Sequence, residues 1–199
     1  MQYANRFGAA LAIVTVLLLP AALGAEDEKN ASPQDAGDAR LVVVQDESSM
    51  ERIIERYLID KHQLTVQEKV SKDDKDDLYL DLPFKAGMTP KFRMSIDTQV
   101  LNRDDKTNKV IERGILINLY SGIMVPPQRR AAVLEVINHC NKQKAFASVY
   151  IDDDGEIICC WILNVLDDGL HPEYVFDVVA RLDKIWRGLY PEVKKEMPD

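Results

Sequence analysis

The sequence predicts an α+β domain, with an antiparallel sheet that has helices packed on one face in the order α-β-β-β-β-α-β-β-α. Two kinds of apolar pattern predict this class. Several stretches alternate apolar and polar residues, as in strands with one buried face. Three others repeat apolar residues every three or four positions, as in amphipathic helices. Most connections between the predicted strands are short enough for hairpins, which favours antiparallel pairing.

The first helix is predicted to begin near Ser48, because Ser48 and Glu51 have the spacing of a capping box. Apolar residues then recur at helical intervals at Ile53, Ile54, Tyr57 and Leu58. Strands are predicted over residues 64–70 and 78–82, on either side of a charged turn at 72–77.

Two long central strands follow. One face of the first is predicted to be buried, and its residues are Phe92, Met94, Ile96, Thr98 and Val100. After a polar turn at 103–108, the stretch 110–120 returns as the partner strand, with Ile115, Ile117 and Leu119 pointing inward.

The remaining elements are a helix, a hairpin and a helix. Pro126 and Pro127 open the second helix, since proline is tolerated where the first amides have no helical partner. Its apolar stripe consists of Val133, Val136, Ile137 and Cys140. Asp154-Gly155 predicts a hairpin between strands 145–151 and 156–165. The third helix is predicted to start near Pro172 and to end around Tyr190-Pro191, with one apolar side made of Val175, Val179, Leu182, Trp186 and Leu189.

The first 25 residues have the pattern of a cleavable export signal. Arg6 precedes an apolar run at 8–19, and small residues follow Pro20 up to a predicted cut between Ala25 and Glu26. The run is shorter than the roughly 20 residues that span a bilayer core, which favours cleavage over an uncleaved anchor. We therefore expect a protein that is periplasmic or secreted, with no transmembrane segment in its mature part. Residues 26–47 are predicted to be a disordered acidic leader, 48–193 the folded domain and 194–199 a tail.

The net charge and the cysteine content limit the classes of function that the sequence is compatible with. The formal net charge is −8 and the chain has no basic stripe, so nucleic-acid binding is not expected. Three cysteines, Cys140, Cys159 and Cys160, allow at most one internal disulfide, so one thiol would be left over or would pair with another molecule.

The last 75 residues or so resemble the YbjN family. The resemblance lies in the helix 130–142 with its Ile137-Asn138-His139-Cys140-Asn141 end, the strand 145–152, the Asp-Gly turn with the apolar strand after it, and Asp168-Gly169-Leu170 before the last helix. It implies a two-layer fold like that of type III secretion chaperones, frequent dimerisation and a non-enzymatic role in a bacterial protein. The export signal and the long polar loop between the central strands depart from the family pattern.

No metal, cofactor or catalytic residues are predicted. Asp152 to Glu156 begins like a calcium loop, but position 12 of that loop would be Leu163, within a strand. Cys159 and Cys160 are adjacent strand residues that point to opposite faces, which disfavours a shared zinc ion with His139 and Cys140. His62, His139 and His171 accompany no recognisable nucleophile motif. A deep pocket that holds one of these histidines near a carboxylate would favour the alternative of an exported hydrolase-like enzyme.

The last hairpin carries the predicted partner-binding surface. Its second strand is apolar on both faces, so a face not covered by helices needs another cover. For a turn of two or four residues, Ala147, Val149 and Ile151 share a face with Ile158, Cys160 and Ile162. The other face holds the candidate partner-binding residues, which are Phe146, Tyr150, Ile157, Cys159, Trp161 and Leu163. The cover could be the segment 41–44 of the same chain, a second copy or a client polypeptide.

The sequence thus predicts an exported, non-enzymatic, YbjN-like protein, homodimeric and able to bind other polypeptides in a chaperone-like manner. Besides the enzyme, a further alternative is an envelope stress protein in which an exposed Cys159 forms a redox-sensitive link between subunits.

Overall fold

Three helices lie on one face of a six-stranded antiparallel sheet in the computed structural model, which describes residues 40–70, 78–83, 90–143 and 146–197. The elements in chain order are α1 (Glu47–His62), β1 (Gln67–Val70), β2 (Leu78–Pro83), β3 (Arg93–Arg103), β4 (Val110–Met124), α2 (Arg130–Gln143), β5 (Ser148–Ile151), β6 (Glu156–Val165) and α3 (Glu173–Glu196). The sheet order is β1-β2-β3-β4-β6-β5. The predicted fold class and element order are confirmed. The predicted signal at 1–25, the leader up to residue 39 and the turn at 72–77 lie outside the described residues.

The core lies between the sheet and the helices. Met94 and Ile96 of β3 pair in register with Leu119 and Ile117 of β4, and all four side chains are fully buried. From the other side α3 contributes its predicted apolar stripe, including the fully buried Trp186. The predicted inward faces of both central strands are therefore confirmed. No helix among the described residues is long and apolar enough to cross a bilayer.

The described residues before α1, which begin at Arg40, pack against the rest of the domain. Leu41 forms an antiparallel β-bridge with Leu170, with N–H···O distances of 2.8 Å in both directions. Leu41 and Val43 are buried, and the Arg113 guanidinium donates to the Val43 carbonyl at 3.0 Å. The prediction of disorder is wrong for residues 40–47, because these two apolar side chains supply the burial that offsets ordering.

The N-cap of α1 is Asp46. Its carboxylate accepts a hydrogen bond from the Ser49 amide at 2.8 Å. Glu51, which the predicted capping box assigned to the helix start, is buried instead and accepts from the Thr98 hydroxyl of β3 at 3.1 Å. The predicted Ser48 cap is therefore wrong by two positions.

Helix α3 does not end at Pro191 but continues to Glu196. A proline inside a helix removes one backbone hydrogen bond and crowds the preceding turn. Here the extra turn keeps Val193 fully buried against the core, which opposes that penalty.

A candidate binding groove between the last two helices

The turn of the last hairpin contains three residues, Asp153, Asp154 and Gly155. The Asp152 amide donates to the Glu156 carbonyl at 2.9 Å, and Ile151 then pairs with Ile157. Gly155 has a φ of 93°, a conformation that glycine adopts without strain. Side chains alternate between the two faces along a strand. A turn with an odd number of residues therefore places on opposite faces the side chains that would share a face after a turn of two or four residues. The predicted grouping of side chains on this hairpin is therefore wrong.

The structure separates the six candidate partner-binding residues. Ile157 and Cys159 are fully buried on the face that the helices cover, and Leu163 is partly buried there. Tyr150 lies on the opposite face, beside Ile158. Only Phe146 and Trp161 come together at the surface, where their rings stack with centroids 5.9 Å apart.

Phe146 and Trp161 line a groove of about 640 Å³ between α2 and α3. Helix α2 contributes Val136 and Cys140, and α3 contributes Ile185 and Leu189. Phe146 is 75 % exposed, which is unusual for so large an apolar side chain. A concave apolar surface of this size is typical of ligand and peptide sites. We call it the α2–α3 groove.

Gly188 keeps the α3 side of the groove open. It is exposed within the helix, and a Cβ atom added there would have no atom within 4 Å apart from its own chain neighbours and the local helix backbone. Glycine within a helix destabilises it by roughly 0.5–1 kcal/mol relative to alanine. Neither packing nor a positive φ requires glycine here, so its evident structural effect is the free space beside Ile185 and Leu189.

The rim of the groove is basic, although the chain is acidic. Arg181 lies with its guanidinium carbon 6.0 Å from the centre of the Trp161 ring, and Lys184 stands one helical turn further along α3. In the part of the chain that the structure describes, neither cation has an ion-pair partner. The acidic rim residue, Glu192, is paired with Lys195 at 2.8 Å. The unbalanced charge at the rim is therefore positive.

The three cysteine thiols differ in how accessible they are to solvent and reagents. Burial raises the pKa of Cys159 to about 12, with the neighbouring Cys140 as a second cause, and burial raises that of Cys160 to about 11. Cys140 lines the groove. The prediction that an exposed Cys159 links subunits is wrong, because its side chain points into the core.

Two of the three histidines join a polar cluster between α1 and α3. Glu173 accepts from the Tyr57 hydroxyl at 2.6 Å, and its Oε2 lies 2.9 Å from Nε2 of His62. His62 stacks on Phe176, and the His171 ring meets that of Tyr57 edge-on. The hydrogen bonds to Tyr57 and His62 lower the pKa of Glu173, whereas the bond to Glu173 raises that of Tyr57 to about 12.

A cavity of about 330 Å³ adjoins this cluster, lined by His171, Glu173, Tyr174 and Asp177. The cavity places His171 beside the carboxylates of Glu173 and Asp177, which is the combination expected for the enzyme alternative. Glu173, however, already accepts a hydrogen bond from Tyr57 and lies 2.9 Å from Nε2 of His62, so the cluster has an evident structural role in tying α1 to α3.

The acidic run at the hairpin serves the turn itself. Asp152 accepts from the Glu156 amide, and Glu156 accepts from the Gly122 amide, both at 2.7 Å. Among the described residues, no group of three or more His, Cys, Asp or Glu side chains is placed to hold a metal ion.

Sequence reasoning identified Phe146 and Trp161 but missed Arg181, Lys184 and Gly188. These three lie on the polar side of a helix whose apolar stripe was predicted correctly. Their spacing is that of an ordinary solvent-exposed helix face and does not indicate a binding site. The missing information was the position of α2 beside them.

Comparison with known proteins places the resemblance in the same part of the chain. The family model YbjN, described as "putative bacterial sensory transduction regulator", matches residues 110–193. The chain is similar to the solved structure of E. coli YbjN, described as "a putative transcription regulator", with 16% identity, a TM-score of 0.45, and coverage of 68% of this chain and 84% of the other. It is also similar to an uncharacterized protein from Methanothermobacter thermautotrophicus, with 12% identity, a TM-score of 0.46, and coverage of 74% and 99%. No curated protein matches the chain.

Proposed function

We propose that the chain, whose residues 110–193 match the YbjN family model, is an exported, non-enzymatic regulatory module that binds polypeptides in the α2–α3 groove. The family description, a regulator, supports a non-enzymatic binding role. Export is supported by the basic, apolar and small-residue pattern that ends at Ala25.

The observation that carries the proposal is the exposure of Phe146 above Trp161. The two stacked rings present a large apolar area at the edge of a concave surface. Aromatic side chains in such positions are enriched among residues that dominate protein interfaces. An extended or helical segment could place apolar side chains between α2 and α3 and cover both rings.

Homodimerisation is a separate part of the proposal. It is implied by the resemblance and supported by Tyr150 and Ile162, which are exposed on the sheet face opposite the helices. On this view the groove stays available to a client when two copies associate. Light scattering of residues 26–199, with and without reductant, tests the dimer, and we expect the same mass in both conditions because the proposed contact through Tyr150 and Ile162 is noncovalent.

The groove is tested with a defined unfolded chain, reduced and carboxymethylated α-lactalbumin, whose binding is followed by fluorescence anisotropy. We expect wild-type protein to bind it but not folded α-lactalbumin. Gly188→Leu should abolish binding, because the new side chain fills the groove where an added Cβ has no neighbour within 4 Å. Phe146→Asp should weaken binding as well. Both positions are exposed, so both variants should fold.

Leu166→Asp is the matched control, since Leu166 is 54% exposed and does not line the groove. It should bind like wild type. Binding that survives Gly188→Leu would refute the groove as the binding site. A wild-type dimer that Gly188→Leu converts to a monomer would show instead that the occupant is a second copy of this chain.

A further inference from the structure

The rim of the α2–α3 groove carries two cations that no described residue neutralises, in a chain whose formal net charge is −8. Solvated lysine and arginine on a helix surface are ordinary by themselves. These two differ because both line the apolar groove, and Arg181 also lies toward the face of the Trp161 ring that forms part of its floor.

From this charge pattern we infer that the polypeptide taken up by the groove is acidic, with carboxylates placed beside its apolar anchors. The inference rests on the proposed function and specifies the class of its partner. An apolar side chain would sit beside Trp161 and Gly188, and a carboxylate a few ångströms away would meet Arg181 or Lys184. The planar guanidinium of Arg181 can donate two parallel hydrogen bonds to a carboxylate.

The other polar groups of the groove do not favour a basic partner. Glu192 is already paired with Lys195. Nε2 of His139 lies 2.7 Å from Nε2 of Gln143, so each of these side chains already has a hydrogen-bond partner within α2. A basic segment would therefore meet two uncompensated cations and one compensated carboxylate, and its binding would be opposed by like charge.

Two synthetic peptides test the inference. They share the same Phe and Leu positions, and the intervening sites carry Glu in one peptide and Lys in the other. At low salt we expect the dissociation constant of the Glu peptide to be about tenfold lower than that of the Lys peptide, or lower still. A difference of this size is what two partly exposed ion pairs would contribute. High salt should reduce this difference by screening.

The charge-reversal variant Arg181→Glu/Lys184→Glu should remove or invert the preference. Its matched control is Arg129→Glu/Arg130→Glu, which changes the net charge equally at two exposed residues outside the groove, and should retain the preference.

The outcomes separate this inference from the proposed function. Equal affinity for both peptides, with loss of binding in Gly188→Leu, would overturn the acidic partner but keep the groove. A Glu preference that survives Arg181→Glu/Lys184→Glu would also overturn it, since other charges would then be responsible. Failure of both peptides and of the unfolded lactalbumin to bind would overturn the two together.

Discussion

The side-chain amide of Asn141 forms hydrogen bonds with both backbone polar groups of Val149. Its Nδ2 donates to the Val149 carbonyl at 2.8 Å, and its Oδ1 accepts from the Val149 amide at 2.9 Å. Strand β5 is at the edge of the sheet, so these groups would otherwise be open to another chain. The contact also holds α2 against β5, which begins two residues after Phe146.

Asn141→Ala should lower the free energy of unfolding by about 1–3 kcal/mol, because it leaves the two Val149 groups without their partners. Chemical denaturation measures the change. Asn138→Ala, three residues earlier on an exposed position of the same helix, should have little effect. Equal stabilities for the two variants would contradict the role given to Asn141. We also expect Asn141→Ala to aggregate more readily, since it exposes a strand edge.

The start of α1 yields a prediction that discriminates between two possible caps. Asp46→Ala should destabilise the protein by about 1 kcal/mol, because the Ser49 amide loses its acceptor. Ser48→Ala should change stability by less than about 0.5 kcal/mol. Urea unfolding midpoints of both variants test this, and a larger effect at Ser48 would restore the capping box expected from the sequence.

Glu173 should make the folded state sensitive to acid. Its pKa in the folded protein lies below the ordinary value of 4.5, because Tyr57 and His62 form hydrogen bonds with the carboxylate. Its contribution to stability is therefore complete above the unfolded value and is lost as the pH falls through the folded one. We expect Glu173→Gln to show a shallower loss of stability below about pH 4.5 than wild type.

Thermal unfolding across that pH range measures the difference. Glu135→Gln, on the exposed surface of α2, is the control and should follow the wild-type curve. Parallel curves for wild type and Glu173→Gln would mean that the tie between α1 and α3 does not depend on this carboxylate.

The three thiols should react with iodoacetamide in a fixed order. Cys140 lines the groove and should react first, and Cys159 should react last. With a pKa of about 12, only about one Cys159 in ten thousand is a thiolate at pH 8, and only the thiolate is nucleophilic. Mass spectrometry of the modified sites gives the order. Cys140→Ser should remove the fast phase, and its persistence would show that Cys160 is the accessible thiol.

An unfolded or peptide ligand in the groove should slow labelling of Cys140 without affecting Cys160, which lies on the opposite sheet face. This readout does not depend on fluorescence and therefore checks the groove independently. Protection of both thiols to the same extent would indicate a general change in the protein instead.

The central sheet was predictable because its faces differ. In β3, Met94, Ile96 and Thr98 alternate with polar residues, so a shift of one position would expose the whole buried set. Strand β6 lacks this contrast, since Ile157 and Ile158 are both buried although they point to opposite faces. Its register depends on the number of residues in the turn, and Asp154-Gly155 is compatible with turns of several lengths.

Other differences arise from tertiary contacts that local rules omit. Pro191 is a helix terminator by propensity, but the burial of Val193 carries α3 past it. Ser48 and Glu51 match a capping box, but Thr98 of a distant strand binds the glutamate. The groove itself depends on two helices separated by a hairpin, and so no single window of the sequence contains it.

The bridge between Leu41 and Leu170 lies close in sequence to the predicted export signal. Fourteen residues, 26–39, separate the predicted cut after Ala25 from Arg40, the first described residue. A chain of 14 residues spans at most about 50 Å. Processing at Ala25 would let the domain and its groove diffuse to distant clients. If the apolar segment stayed in the bilayer, the groove could bind only polypeptides close to the membrane. Cleavage at Ala25 would then determine which clients the groove can bind.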